Sequence, residues 1–361
     1  MLDKQHRLPP SPDQRGVGLI ELMVGLAVGT IAVIVMMQVF AFSEGQKRLI
    51  TSGADAQING QLAMFSMERD LRISGYGLTG TDCTQMQGYN ENADPKTVTY
   101  SALPVVISYD STTQSDQIEV RYSLSAYGSI ASILQQDVAT SDPDTTLQVN
   151  YGKGYKDKDM VLISQPGKSC TLMQLSANGV IASPGVANTT QDGLQWALTH
   201  DADATDYPFN PPAGTNIFPT GGYTAGAKVR TLGSMVNKRY YVQGGNLMMQ
   251  DLNQIPGTNN PVQIASGIVA MRAQYGRDSD GNGDLDTFDS TTPSSEREMV
   301  AIRLALVARG TQYDRDYSGP ASLTLWNSGP SVTFSGDDRK YRYRAYLTTI
   351  PMRNTIWNNN P

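Results

Sequence analysis

With only two histidines and two cysteines in 361 residues, the chain has little of the raw material of metal or nucleophilic catalysis. His6 and His200 are too few for a histidine-based metal cluster. A Ser-His-Asp site would have to use His200 in an Asp-rich loop, where a lone histidine is ordinarily just solvated. Cys83 and Cys170 lack the CxxC spacing of a zinc site. No G-x-S-x-G elbow, no P-loop and no G-x-G-x-x-G between a strand and a helix occurs. Carboxylate pairs are plentiful, but their separation cannot be read from sequence, so glycosidase chemistry has no support. Enzyme classes are disfavoured, and no catalytic residue is assigned.

A basic excess is also missing. The net charge is -6, and the first sixteen residues hold Lys4, Arg7 and Arg15 against Asp3 and Asp13, leaving 25 Lys+Arg against 32 Asp+Glu beyond them. A phosphate-binding surface shows as the opposite imbalance, so nucleic acid is not an expected partner. Charged residues make up 17% of the chain and hydrophobic ones 39%, with 34 Gly and 19 Pro, which describes a turn-rich globular protein and not a polytopic membrane protein.

Against that average stands one apolar run. From Leu22 to Phe42 only Thr30 and Gln38 carry polar side chains, and about 20 such residues cross a bilayer core as a helix. Three basic residues upstream against Lys47 and Arg48 downstream lean toward a cytoplasmic N-terminus. The run is preceded by Gln14-Arg15-Gly16-Val17-Gly18-Leu19-Ile20-Glu21. A secretory signal is cut after its apolar core; here the small-residue site precedes it, so cleavage would leave the anchor in place. Glu21 costs roughly 2 to 3 kcal/mol near the start of a membrane helix unless it is paired, snorkels or protonates. Cleavage after Gly16 would create a cationic α-amino group on Val17, about one turn from Glu21, in the same chain or a neighbour. The plainer alternative is an uncleaved signal anchor whose Glu21 snorkels.

Residues Arg15 to Val24 resemble the type IV prepilin signal. The resemblance implies cleavage after Gly16 by the prepilin peptidase, methylation of Val17, and a Glu21 that docks on a neighbouring subunit during assembly. The family usually has Phe and often Thr after the cut, where this chain has Val17 and Gly18. A longer likeness, to the PilW-like minor pilins, rests on Asn59-Gly60, Ala63, Arg69-Asp70-Leu71-Arg72, Gly75-Tyr76 and Cys83, and on two runs near the other end, Val300 to Arg309 and Tyr341 to Asn354. It implies partnership with other minor pilins and a major pilin, in a complex that primes or caps the pilus. It also implies residence as a single-pass inner-membrane protein with its C-terminal domain in the periplasm, then incorporation into the pilus at the cell surface. A minor pseudopilin of a type II secretion system would share the anchor and differ in partners. A membrane-anchored calcium-dependent adhesin is a third reading.

The fold class expected is α+β: a long N-terminal helix, membrane-spanning in its first half, packed on an antiparallel β-rich domain. The boundaries are a cytoplasmic leader over 1–16 that is removed, a helix over 17–75 with its membrane half at about 17–42, and an exported domain over 76–361. In the second half of the helix, Ala54, Ile58, Leu62, Phe65 and Ile73 share one side, and Met64, Met67 and Leu71 another. Two apolar faces imply two neighbours, either the chain's own domain and a second subunit, or one domain burying both. Gly45, Gly53 and Gly60 each weaken the helix by up to about 1 kcal/mol relative to Ala, which suggests a bend or local melting, and Gly75 and Gly77 end it.

Beyond Tyr76 the pattern is strands and turns. Candidates are Gln117 to Tyr122, Met160 to Ser164, Thr171 to Leu175, Val262 to Tyr275, Met299 to Ala308 and Tyr341 to Ile350, with a hairpin over Arg239 to Met249 around Gly244-Gly245. Ser183 to Gly226 reads as long surface loops, the surface an adhesin would use. Cys83 and Cys170 would tie the helix exit to the sheet if paired, as an exported domain favours; free buried thiols are the alternative.

One chemical motif remains. Asp278-Ser279-Asp280-Gly281-Asn282-Gly283-Asp284-Leu285-Asp286-Thr287-Phe288-Asp289 has the spacing of a Ca²⁺ loop, with Gly at the sixth position. Asp278, Asp280 and Asn282 would give side-chain oxygens, Asp284 a backbone carbonyl, Asp286 a direct or water-mediated contact, and Asp289 the closing carboxylate where Glu is usual. The flanks read as strand and coil, so the loop lies outside a true EF-hand. An ion-free Asp/Gly turn is the alternative.

Overall fold

A computed structural model describes residues 18–356, apart from 82, 84, 128–129, 143–145, 182–195, 204, 255–259 and 328. The chain divides into two compact units, Met1–Gly53 and Ala54–Pro361. Helix α1 is Leu19–Ile73. Gly45 and Gly53 stand in open space, whereas a Cβ on Gly60 would lie 2.2 Å from the ring of Tyr346. Gly60 is therefore a packing site, and its cost in helix propensity is offset by letting an aromatic ring approach the helix backbone. Past Ile73, Gly75 takes φ +83° and Gly77 +78°, as expected of a helix stop. Asn354 Nδ2 donates to the carbonyls of Ile73 and Ser74 at 3.1 and 3.0 Å, satisfying acceptors that a helix end leaves open.

Two sheets form the seat for the C-terminal turns of α1. A five-stranded antiparallel sheet runs in the order Val262–Ser266, Asn246–Asp251, Val236–Gln243, Ser115–Tyr122, Val105–Asp110. A four-stranded one runs Thr287–Asp289, Ile268–Arg277, Met299–Arg309, Tyr343–Pro351. They are stitched together where Met271 N–H donates to Ser115 Oγ at 2.8 Å and Ala273 N–H to Asp116 Oδ2 at 2.7 Å. The run Val262 to Tyr275 is thus two strands. Gly267, at φ +73°, breaks it and hands the chain from one sheet to the other, which apolar patterning alone does not show.

A second core lies under a six-stranded and a three-stranded sheet, with Val161, Ile163, Met173, Val229 and Leu198 in its centre. The antiparallel pairing that predominates has one exception here. Gln85–Tyr89 pairs in parallel with Cys170–Gln174. Cys83 and Cys170 are joined, with Cα atoms 5.7 Å apart, so both strands leave the bridge in the same direction. The disulfide spans 87 residues, a closure worth about 4 to 5 kcal/mol in the chain-entropy model.

Residues Ser183 to Gly226 depart from the surface-loop expectation where they are described. Ile217, Phe218 and Tyr223 are buried in the second core, and the Tyr223 hydroxyl donates to the Ser169 carbonyl at 2.8 Å. A few large apolar groups in a polar stretch are enough to pin it down. The segment 182–195 lies outside the described residues.

Candidate functional site

The anchor comes first. Gly16 and Val17 lie outside the described residues, so nothing is stated of their geometry. Gly18 is described, and its carbonyl accepts from Glu21 N–H at 3.0 Å and Leu22 N–H at 3.2 Å, opening the helix. Glu21 is exposed in the first turn, where the positive end of the helix dipole favours a carboxylate. Among the described residues, α1 is the helix long and apolar enough to cross a membrane, and its apolar window is wholly uncovered. Leu22, Ile31, Met36 and Phe40 all stand open. An apolar surface of that length is stable only against lipid or against other chains.

Lower on the helix the two apolar faces part company. Ala63, Met64, Met67 and Leu71 are buried against both sheets, touching a core that includes Ile118, Tyr240 and Ile302. Ile58, Leu62 and Phe65 are 62%, 50% and 67% exposed. One domain does not bury both sides.

On the buried face sits a carboxylate that spacing alone did not single out. Asp70 is fully buried, yet it accepts from Lys238 Nζ at 2.7 Å, Tyr240 hydroxyl at 2.8 Å and Tyr122 hydroxyl at 3.3 Å. Burial pushes its pKa up, but the hydrogen bonds from Lys238 and Tyr240 and the nearby charges of Lys238 and Arg69 outweigh it, leaving it below the usual carboxylate value. The signal was available: Asp70 falls three residues after Met67 and one before Leu71, so a charge stands on the apolar stripe.

The acidic loop leaves the strand Ile268–Arg277 and returns through Thr287–Asp289. Gly281 and Gly283 take φ +77° and +91°, which turns the backbone inward. Asp278 is buried, and its two oxygens accept from Gly281 and Gly283 N–H, each at 2.8 Å. Carboxylate oxygens of Asp278, Asp280 and Asp286 lie within 4.8 Å of one another, a spacing that fits oxygens each about 2.3 to 2.6 Å from one Ca²⁺. Ser279 donates to Asp286 through its amide at 2.7 Å and its hydroxyl at 2.6 Å, holding that carboxyl below its usual pKa. Of the other expected ligands, Asn282 stays in the loop and Asp289 leaves it. Asn282 Oδ1 accepts from Asp284 N–H at 2.7 Å. Asp289 stands outside the loop, in the strand Thr287–Asp289, 3.4 Å from Arg277 Nη1, and accepts from Thr291 N–H at 2.7 Å. Strand pairing opposite Tyr275 places it there.

His200 is buried, where the sequence suggested a solvated loop residue, and His6 lies outside the described residues.

Two family profiles match. Residues 11–37 match the prokaryotic N-terminal methylation motif, and residues 238–354 match PilW, the type IV pilus-assembly protein W. Over the residues they cover, these matches support a PilW-like type IV minor pilin. The PilW segment begins at Lys238, the partner of Asp70, and ends at Asn354, which caps the end of α1. It therefore contains much of the seat that receives the helix. No curated protein matches the chain. Among solved structures, a type IV-like pilin from Thermus thermophilus is similar at 12% identity and a TM-score of 0.34, over 84% of this chain and 96% of that one, a superposition too loose to support anything further. The methylation motif and the apolar helix α1 fit a single-pass anchor in the inner membrane, and pilins and the prepilin peptidase are the partners that this likeness implies.

Proposed function

We propose that the precursor is cut after Gly16 by the prepilin peptidase, methylated on Val17, and joined to other minor pilins in a complex that primes or caps a pilus of major pilins. The observation that carries this is the wholly uncovered apolar length of α1 behind a methylation motif. In lipid it is an anchor, and among like helices it is a packing surface. Glu21 is the register device: a carboxylate in an apolar surface is costly alone and favourable opposite a terminal amine, so it selects one axial offset between neighbours. The domain over Ala54–Pro361 lies in the periplasm before assembly and at the cell surface after it. It acts as a structural part and not as a catalyst. Glu21→Ala in the native cell tests the register role. Co-purification of the full-length protein with membrane pilins should fall and piliation should be lost; unchanged recovery and piliation would remove it.

We also infer that the acidic loop takes Ca²⁺ on Asp278, Asp280 and Asp286, with Asp289 outside the ligand set. The support is the convergence of the three carboxylates and the ligand spacing of the sequence.

A further inference from the structure

The four-stranded sheet has an outer face, turned away from α1, and the small hairpin Ser322–Thr324 and Ser331–Thr333 packs on it through Leu325, Val332 and Phe334. Between hairpin and sheet lies a cleft of about 190 Å³. That is several times the roughly 30 Å³ share of one liquid water, and below the roughly 300 to 1,000 Å³ of drug-sized sites. One six-membered ring with substituents is the scale it suits.

Its lining is chemically mixed. Arg272 and Arg309 bring two guanidinium groups, each paired with one carboxylate, Asp116 and Asp338 respectively. Arg272 gives Nη1 to Asp116 at 3.3 Å and stacks on Tyr109 at 4.8 Å, while its buried Nε–H has no acceptor among the described residues. Arg309 lies 4.6 Å over Tyr341, pairs with Asp338 at 3.5 Å and also meets the Tyr343 hydroxyl, so three neighbours orient its guanidinium. Ser331 and Thr333 offer hydroxyls, and Gln114 offers an amide from the turn between Asp110 and Ser115. Tyr343, stacked on Phe334 at 3.9 Å, supplies an aromatic wall. Cations, hydroxyls, an amide and an apolar wall in one small cleft match a molecule with a carboxylate, several hydroxyls and an apolar ring face.

We propose that this cleft binds a single carboxylated monosaccharide, with the carboxylate on Arg309 and Arg272 as the second cation, and the ring hydroxyls on Ser331, Thr333 and Gln114. The partner is thus an acidic glycan unit, met by the exported domain independently of how α1 assembles. Full-length protein in a sugar-free zwitterionic detergent, titrated with glucuronate, galacturonate, glucose and acetate by saturation-transfer NMR and calorimetry, tests it. One or both uronates should saturate at millimolar or lower concentration, with glucose silent and acetate weaker. Arg309→Gln should weaken the uronate about tenfold, the scale of one charge-assisted hydrogen bond. If that variant loses its near-ultraviolet circular dichroism, Thr333→Val, an exposed change on the other wall, replaces it with a smaller weakening expected. Absence of uronate binding up to tens of millimolar, glucose binding as well as uronate, acetate binding as tightly as uronate, or unchanged affinity in the folded variants would each overturn the assignment.

Discussion

Asp70 and Lys238 lie 168 residues apart in the chain and 2.7 Å apart in space, the first on the long helix and the second on a central strand of its seat. Their contact is a charge-assisted hydrogen bond at the end of an apolar interface, with Tyr240 and Tyr122 supplying further donors. A buried pair of this kind adds little over a well-packed apolar pair, but it penalises any seating of the helix that separates the charges.

Removing one partner is accordingly expected to be severe. Asp70→Ala should destabilise the protein by about 3 kcal/mol, because it strands a largely buried Lys238 and two tyrosine hydroxyls. Thermal unfolding would show it, and a double-mutant cycle with Lys238→Met should return part of the loss. The pH dependence has a definite sign. Asp70 titrates lower in the folded state than in the unfolded chain, so its contribution is fully present above the unfolded carboxylate pKa and is lost as pH falls through the folded value. Asp70→Asn should flatten that acid limb.

Gly60→Ala should destabilise the protein by about 1 kcal/mol, although Ala is the better helix former, because its methyl group would enter the space of the Tyr346 ring. Gly45→Ala and Gly53→Ala, in open space, are the controls and should not destabilise. Melting curves of the three variants side by side decide it; equal behaviour would mean that the ring moves aside freely.

Much of this architecture is legible in residue order, and the failures have physical causes. Met160 to Ser164 is recovered residue for residue because an unbroken apolar run bounded by polar residues has one reading as a buried strand. Val262 to Tyr275 misleads because both halves are apolar and the break is a backbone angle at Gly267. The two faces of α1 follow from spacing, yet spacing cannot say which is covered. The parallel strand pair depends on Cys83 and Cys170 meeting, and the partners of Asp70 on strands far along the chain. In the acidic loop the glycines and three carboxylates were readable, whereas the diversion of Asp289 to Arg277 required the strand register.

Calcium at millimolar concentration should raise the melting temperature of the protein. Asp280→Ala should abolish the shift, since Asp280 is one of the converging carboxylates. Asp289→Ala should retain it, since that carboxylate belongs to Arg277. No calcium shift in the unsubstituted protein removes the ion from the account, and loss of the shift in Asp289→Ala restores the longer ligand set.

The exposed face at Ile58, Leu62 and Phe65 separates stability from assembly. Leu62→Ser and Phe65→Ser should change folding stability by less than about 0.5 kcal/mol, as surface positions do. Recovery of partner pilins with the variant should nevertheless fall. A loss of stability without a loss of partners would show that this face is covered within one subunit.

Intact-mass and N-terminal peptide spectrometry of the protein isolated from its native cell is the most direct measurement. It should find a mature species beginning at Val17 and heavier there by one methyl group, with residues 1–16 gone. A mature species that still carries Met1 would contradict the conversion of a membrane anchor into an assembling subunit.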